Sequence, residues 1–529
     1  MLVSRMCIRI IRSPPMPITR RQFIQGAAAS AALIPLAVRA KQAAPDPAQR
    51  LFAHGVASGD PLTDRVMLWT RVTPPPTRSA TGPIDVQWVI ASDEGLQQVI
   101  GRGTAQAAME RDFTVKVDAG GLAPGRTYYY GFVAGGERSA MGRTKTLPER
   151  IDRLRIASVS CSNYPAGYFN VYRCLANRPD LDAVIHLGDY IYEFANGRYG
   201  DGSSSGRVPL PAGEASTLAD YRSRYATYRS DIDLQEAHRR HPFIAVWDDH
   251  ESANDASAVG APNHSSMQGS WSSRLAGAYK AYLEWMPIRE SADPKIHLYR
   301  TFRFGDLADL VMLDTRGLRD QQARGNDAKT LADPSRSLLG AGQEAWFFDQ
   351  LRASQRAGSR WRLIGQQILF TPLSIPGLPV ANPDLWDGYV PARNRVFDML
   401  AADKITNVAI LTGDIHSSWA MDVARNPWTG YDPTTGSGSI AVELVTPAIS
   451  SPPFFSSPEL KQRAAQLRPL ARHLKFLEGE HNGYTLLDVT RDRIQAEWYH
   501  VETVAQRMDK ESKAASFVCE NGSSRLSTP

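Results

Sequence analysis

The run AVIHLGDYIYEF, Ala183 to Phe194, decides how this chain reads. Its apolar opening, Ala183-Val184-Ile185, has the composition of a buried strand, and the strand stops at Gly188. Asp189 and Tyr192 then follow three residues apart. An acid and a phenol held so close together just past a strand end need a common partner.

The pattern recurs along the chain. RLRIASVS delivers Cys161, FIAVWDD delivers Asp248, Asp249 and His250, and NVAILTG delivers Asp414 and His416. Any one ending has a plain explanation, because Gly-Asp and Asp-Asp pairs commonly cap helices or solvate turns. Four in order point elsewhere, since side chains converging from several strand ends on one sheet edge are how α/β folds build a site.

These strands place the region from Arg153 onward in an α/β or mixed-sheet class, with LADLVMLDT and RLIGQQILF as further strands between helical stretches. Phe52 to Leu147 has a different texture. Short alternating runs such as DVQWVI, FTVKVD and TYYYGFV, separated by Gly- and Pro-rich turns, predict a small all-β sandwich of fibronectin or immunoglobulin type. The expected organisation is a leader over 1–40, a β-sandwich domain over 50–148 and a catalytic domain over 152–520.

Thr19 to Ala40, TRRQFIQGAAASAALIPLAVRA, sets Arg20-Arg21 before a short, mildly apolar stretch and a small-x-small end at Val38-Arg39-Ala40. It reads as a twin-arginine (Tat) export signal, because the apolar run is shorter than the roughly 20 residues of a spanning helix. The expectation is delivery by the Tat export machinery to the periplasm or the medium, with no stable membrane anchor. The 529 residues carry a formal net charge of +5, but six arginines and no acid lie in the first forty positions. Without those six, acids outnumber bases by one. That balance argues against a nucleic-acid partner. Beyond Cys7 the cysteines are Cys161, Cys174 and Cys519, so at least one thiol is free or metal-bound. Cys174 with Cys519 as a disulfide, and both as buried thiols, stay open.

The order Cys161, GDYIY from Gly188, WDDHE from Trp247 and GDIHSS from Gly413 resembles the PhoD-like alkaline phosphatases, as do FAHGVASGDP from Phe52 and LDTRGLRD from Leu313. That family sits in the wider superfamily of two-metal phosphoesterases that includes the purple acid phosphatases. The resemblance implies a metallophosphatase-type β-sandwich flanked by helices, one iron(III) ion and calcium. Carried over by motif, it makes Asp189 the carboxylate between the metals and Tyr192 the iron-bound phenolate. Cys161 and His416 complete the iron site, and Asp249 and Asp414 fall to the second metal. His250 lies close to the phosphate or its leaving group, and Arg274, opening the helical stretch SWSSRLAGAYKAYLEW, clamps the phosphate.

The chemistry of these groups fits that division. Thiolate, phenolate and imidazole suit a transition metal, and carboxylates suit a hard cation. A trivalent ion would strip the protons from a Cys and a Tyr that otherwise keep them to about pH 8.5 and 10. The expected activity is hydrolysis of phosphate monoesters and diesters by a metal-activated water, releasing inorganic phosphate, with a phospholipase D-like diesterase as the nearest variant. A non-catalytic, calcium-stabilised exported binding protein is the alternative of another class, and the soft ligands speak against it. GxSxG is matched only inside the short Ser/Gly loop GDGSSSG, Gly200 to Gly206, with no strand run before it to form a nucleophile elbow, and no Walker sequence is present. Weaker candidates are Asn254, Arg316 and, on the sandwich side, His54. EHNGY, with His481 and Asn482, stands where the family tends to carry an arginine.

Overall fold

In the computed structural model the described residues are 50–74, 82–290, 298–323, 328–374, 382–455 and 468–529, with a few single positions between them. The twin-arginine leader and Cys7 lie outside them. The N-terminal region contributes β1 (Val56–Gly59), β2 (Arg65–Arg71), β3 (Ile84–Ala91), β4 (Val99–Ala107), β5 (Thr114–Gly120), β6 (Thr127–Ala134), β7 (Glu137–Arg138) and β8 (Gly142–Lys145). Then come β9 (Arg153–Val159), β10 (Ala183–His186), β11 (Pro242–Ala245), β12 (Arg300–Phe304), β13 (Ala308–Met312), β14 (Trp361–Gln366) and β15 (Val408–Thr412). The chain closes with β16 (Ser418–Ala424), β17 (Ser439–Val445), β18 (Leu474–Glu478), β19 (Gly483–Thr490), β20 (Arg493–Val501), β21 (Glu511–Glu520) and β22 (Leu526–Ser527). Helices α1 (Asn170–Ala176), α2 (Leu218–Arg229), α3 (Ile232–Arg240) and α4 (Trp271–Trp285) belong to the first part of the region beyond Arg153.

Two large sheets carry the site. One has ten strands in the order β22-β21-β20-β19-β9-β10-β11-β1-β2-β5, and the other has seven in the order β12-β13-β14-β15-β17-β16-β18. Side-chain alternation with period two explains why the second sheet is buried on both faces. Leu310, Met312, Leu363, Ala409 and Leu411 point into a core shared with Ile156, Val184 and Ile185 of the first sheet. Their neighbours Val311, Ile364, Val408 and Ile410 point the other way, into a core with Phe347, Val396 and Leu400. Strands buried on both sides read as continuous apolar runs, which is why RLIGQQILF and NVAILTG stood out.

The N-terminal strands are not confined to a sheet of their own. β1 pairs in parallel with β11, Ser58 opposite Pro242, so β1, β2 and β5 extend the ten-stranded sheet. Strand β2 accordingly sends Val66 and Leu68 into a core with Val86 and Tyr130 of the five-stranded β4-β3-β6-β7 sheet with β8, and Trp69 into the core shared by the two large sheets. Trp69 also donates from its indole N–H to the Glu284 carbonyl of α4, at 2.8 Å.

His54 adds to the same junction, its ring edge-on to Trp285 at 5.2 Å. Burial, helped by Arg71 and Arg229, pushes its pKa down to about 3. The unfolded chain takes up that proton near pH 6.5, so stability is complete above that value and falls as pH drops toward 3. His54→Gln is expected to flatten the pH dependence by about 1.4 kcal/mol per pH unit between about pH 6 and 4. Denaturant titrations of both proteins across that range measure the difference.

Candidate metal centre

The loops after β9, β10, β11 and β15 meet at one end of the two sheets, and the backbone there is strained. Cys161, Asp189, Asp414 and His416 have φ of 63°, 56°, 63° and 51°. Left-handed conformations cost non-glycine residues energy and gather at functional sites. A short αL turn aims each side chain back across the strand end instead of along the sheet. Gly188, at φ 108°, lets the turn before Asp189 pass under the next loop, since a Cβ there would stand 2.4 Å from the Cβ of Asp248.

Seven side chains expected from the sequence come together. Cys161, Asp189 and His416 each place a ligand atom within 4.8 Å of the others, as do Asp189, Asp249 and His250, and also Asp248, Asp249 and Asp414. Tyr192 Oη sits between the first two groups, donating to Asp189 Oδ2 at 2.8 Å and lying 3.1 Å from His416 Nε2. Ser451 Oγ donates to the same phenol at 2.7 Å. His416 Nδ1 lies 2.9 Å from the Tyr199 hydroxyl, which orients the ring. The structure gives Cys161, Cys174 and Cys519 as free, buried thiols.

The electrostatics ask for cations. Burial comes first in raising Asp189, Asp248 and Asp414 well above the usual carboxylate range, and the neighbouring acids add to it. Asp249 is the exception: against burial, Arg316, His250 and the Asp255 N–H hold it down. Burial and Asp189 likewise push up the Cys161 thiol and the Tyr192 phenol. Asp248 Oδ2 and Asp249 Oδ1 are buried without a hydrogen-bond partner. Buried carboxylates of this kind are paired or coordinate metal, and this donor set fits metal.

One resident cation is Arg316, fully buried at the centre of the acids. It contacts Asp248, donates to Asp384 at 2.8 Å and Asp414 at 2.8 Å, and lies 3.6 Å from Asp249. Arg319 shares Asp384 at 2.7 Å. His250 Nδ1 lies 2.7 Å from Glu193 Oε2, and its ring stacks on Tyr192 at 4.2 Å. Burial opposes its protonation, but Glu193, Asp249 and Asp189 together raise its pKa well above the ordinary value.

Arg274 is not brought to the cavity. It lies on the first turn of α4, which Ser270 caps by accepting the Ser273 N–H, and its guanidinium is buried. The Tyr221 hydroxyl, the Ser252 and Ala215 carbonyls and Glu214 occupy its nitrogens. It therefore braces the loop behind His250. Arg198, not expected from the sequence, lines the cavity instead, with Asn254, Tyr199 and Asp255. The cavity measures about 630 Å³, and Phe194, Phe454, Phe455 and Trp419 form its apolar wall beside Asp189, Asp249, His250, Asp414 and His416.

Glu251 is a further residue that the sequence did not single out. Its buried carboxylate accepts the backbone N–H groups of Asp189 at 3.1 Å, Tyr190 at 2.6 Å and Asp248 at 2.8 Å, tying two ligand loops together. Burial pushes its pKa up to about 7 against those three bonds. Glu251→Ala strands three buried donors and is expected to cost about 3 kcal/mol or more, read from denaturant unfolding.

Comparison with known proteins agrees with the geometry. The PhoD-like phosphatase family matches residues 156–498, and the PhoD-like phosphatase N-terminal domain matches residues 38–148. The chain belongs to the PhoD-like phosphatases. It is 37% identical over 521 residues to alkaline phosphatase D of Bacillus subtilis strain 168, covering 94% of this chain and 87% of that one. A solved structure of PhoD superimposes with a TM-score of 0.81 at 34% identity, covering 92% of this chain and 93% of that one. This PhoD-like phosphatase is thus a phosphoesterase, with the cavity just described at the strand ends of its α/β catalytic fold.

Proposed function

We propose that this enzyme hydrolyses phosphate monoesters and diesters at an iron(III)–calcium centre. The observation that carries the reading is the split donor set around Asp189, with Cys161, Tyr192 and His416 on one side and Asp249 and Asp414 on the other. The thiolate, phenolate and imidazole half would hold a transition metal, here assigned as iron(III), and the carboxylate half would hold calcium, with the Asp189 carboxylate standing between the two donor groups. When bound, the ions would lower the pKa of a water and offset charge on the phosphoryl oxygens.

The protein's own groups do the rest. Glu193 holds His250 Nδ1, leaving the other ring nitrogen free to protonate a leaving oxygen. Arg198 on the cavity wall offers a guanidinium to a phosphate dianion, the role expected of Arg274. The apolar wall takes the organic group of the ester, and a cavity of about 630 Å³ leaves room for the second group of a diester.

We propose further that the chain leaves the cytoplasm folded, by the twin-arginine route that Arg20-Arg21 signals, and works in the periplasm or the medium. Among the described residues no helix is long and apolar enough to cross a membrane.

The test is elemental analysis of protein exported by its own host, with rates on one monoester and one diester. Iron and calcium should both be present, with a visible phenolate-to-iron band that Tyr192→Phe removes. Colourless, iron-free protein with full rates would overturn the metal assignment.

A further inference from the structure

Glu478, His481 and His500 form a second group of metal-capable side chains, each offering a ligand atom within 4.8 Å of the others, and none of them lines the cavity. We propose that these three residues bind one divalent transition-metal ion, of the zinc or cobalt class, that staples the two large sheets together.

The folding of the chain brings the three together from different elements. Glu478 ends β18 in the seven-stranded sheet, opposite Ser418. His500 lies in β20 of the ten-stranded sheet, opposite Gly483. His481 sits on the short connection between β18 and β19 that joins the two sheets.

The local chemistry points to a cation. His481 Nδ1 lies 2.9 Å from Glu478 Oε1, and His500 Nε2 lies 3.5 Å from Glu478 Oε2. The two imidazoles stack with their ring planes 7° apart and centroids 5.3 Å apart. Glu478 Oε2 is buried without a hydrogen-bond partner, and among the described residues no lysine or arginine pairs with this carboxylate. Two imidazoles and a carboxylate are a donor set that zinc takes, with ligand bonds of about 2.0 to 2.2 Å. His481 has a side chain 53% exposed, so its rotation can close the set while solvent fills the fourth position. Ser418 Oγ, 3.0 Å from His500 Nε2, lies two residues beyond His416 and links this group to the catalytic strand end.

The experiment uses the untagged full chain carrying its catalytic metals. Equilibrium dialysis against Zn²⁺ should show one equivalent beyond the catalytic complement. His481→Ala should bind that equivalent at least tenfold more weakly while its ester hydrolysis stays unchanged. Co²⁺ at the same place should give the intense visible absorption of a four-coordinate site, absent in the variant. Zn²⁺ should raise the unfolding temperature of the wild type and not of His481→Ala. If wild type and His481→Ala take up equal Zn²⁺, or if Glu478→Gln binds it as well as the wild type, the proposal is overturned and the three residues are a hydrogen-bonded cluster only.

Discussion

Asp189→Ala is expected to lower the hydrolysis rate by more than about a thousand-fold, equivalent to roughly 4 kcal/mol of transition-state stabilisation. The size follows from its position. Asp189 is the carboxylate shared by the Cys161–His416 group and the Asp249–His250 group, and Tyr192 donates to it at 2.8 Å. Removing it disconnects both halves of the donor set at once. The fold should survive: alanine at φ 56° adds about 1 to 2 kcal/mol of backbone strain, and the Glu251 contact to the residue 189 N–H does not depend on the side chain. Asp189→Asn is the sharper variant, because it keeps the size and the tolerance for left-handed backbone and changes the charge. Both should give native circular dichroism, reduced metal content and negligible rates on a monoester and a diester. Normal turnover in Asp189→Asn would remove this carboxylate from the chemistry.

Much of the site was legible because its residues stand where strands end. An apolar run stopping at Gly188-Asp189 or Gly413-Asp414 announces both the strand and the side chain it delivers. What was not legible depends on packing between distant segments. The parallel pairing of β1 with β11 joins residues some 180 positions apart, and no local pattern signals it. Asp384 reaches Arg316 from a loop with no motif around it. Arg274 shows how a helix arginine misleads: its place on α4 was legible, but the direction of its guanidinium is set by α2 and by Glu214, on a different segment. Glu193 and Glu251 stand inside GDYIYE and WDDHE, yet the letter E does not distinguish a ligand from a brace. Only the backbone N–H groups converging on Glu251 and the imidazole on Glu193 do so.

His250→Gln is expected to cost about 100- to 10,000-fold on an ester with an alkyl leaving group, and far less on a nitrophenyl ester. The difference arises because an alkoxide must be protonated as it departs, whereas nitrophenolate leaves unaided. The acids around His250 favour the charged form that such a transfer would need, since burial disfavours the imidazolium but Glu193, Asp249 and Asp189 outweigh it. Cations held at Asp189 and Asp249, as proposed, would cancel part of that pull and bring the working pKa below the value the acids alone would set. The wild-type rate on the alkyl ester should therefore fall on the alkaline side as His250 loses its proton, and the variant's profile should lack that limb. Glu193→Gln keeps a partner for Nδ1 but removes the charge; it should shift the limb to lower pH and reduce the alkyl-ester rate by a smaller factor. Equal losses on the alkyl and nitrophenyl esters would instead place His250 among the groups that bind the phosphoryl oxygens, because a contact to the phosphate does not distinguish one leaving group from another.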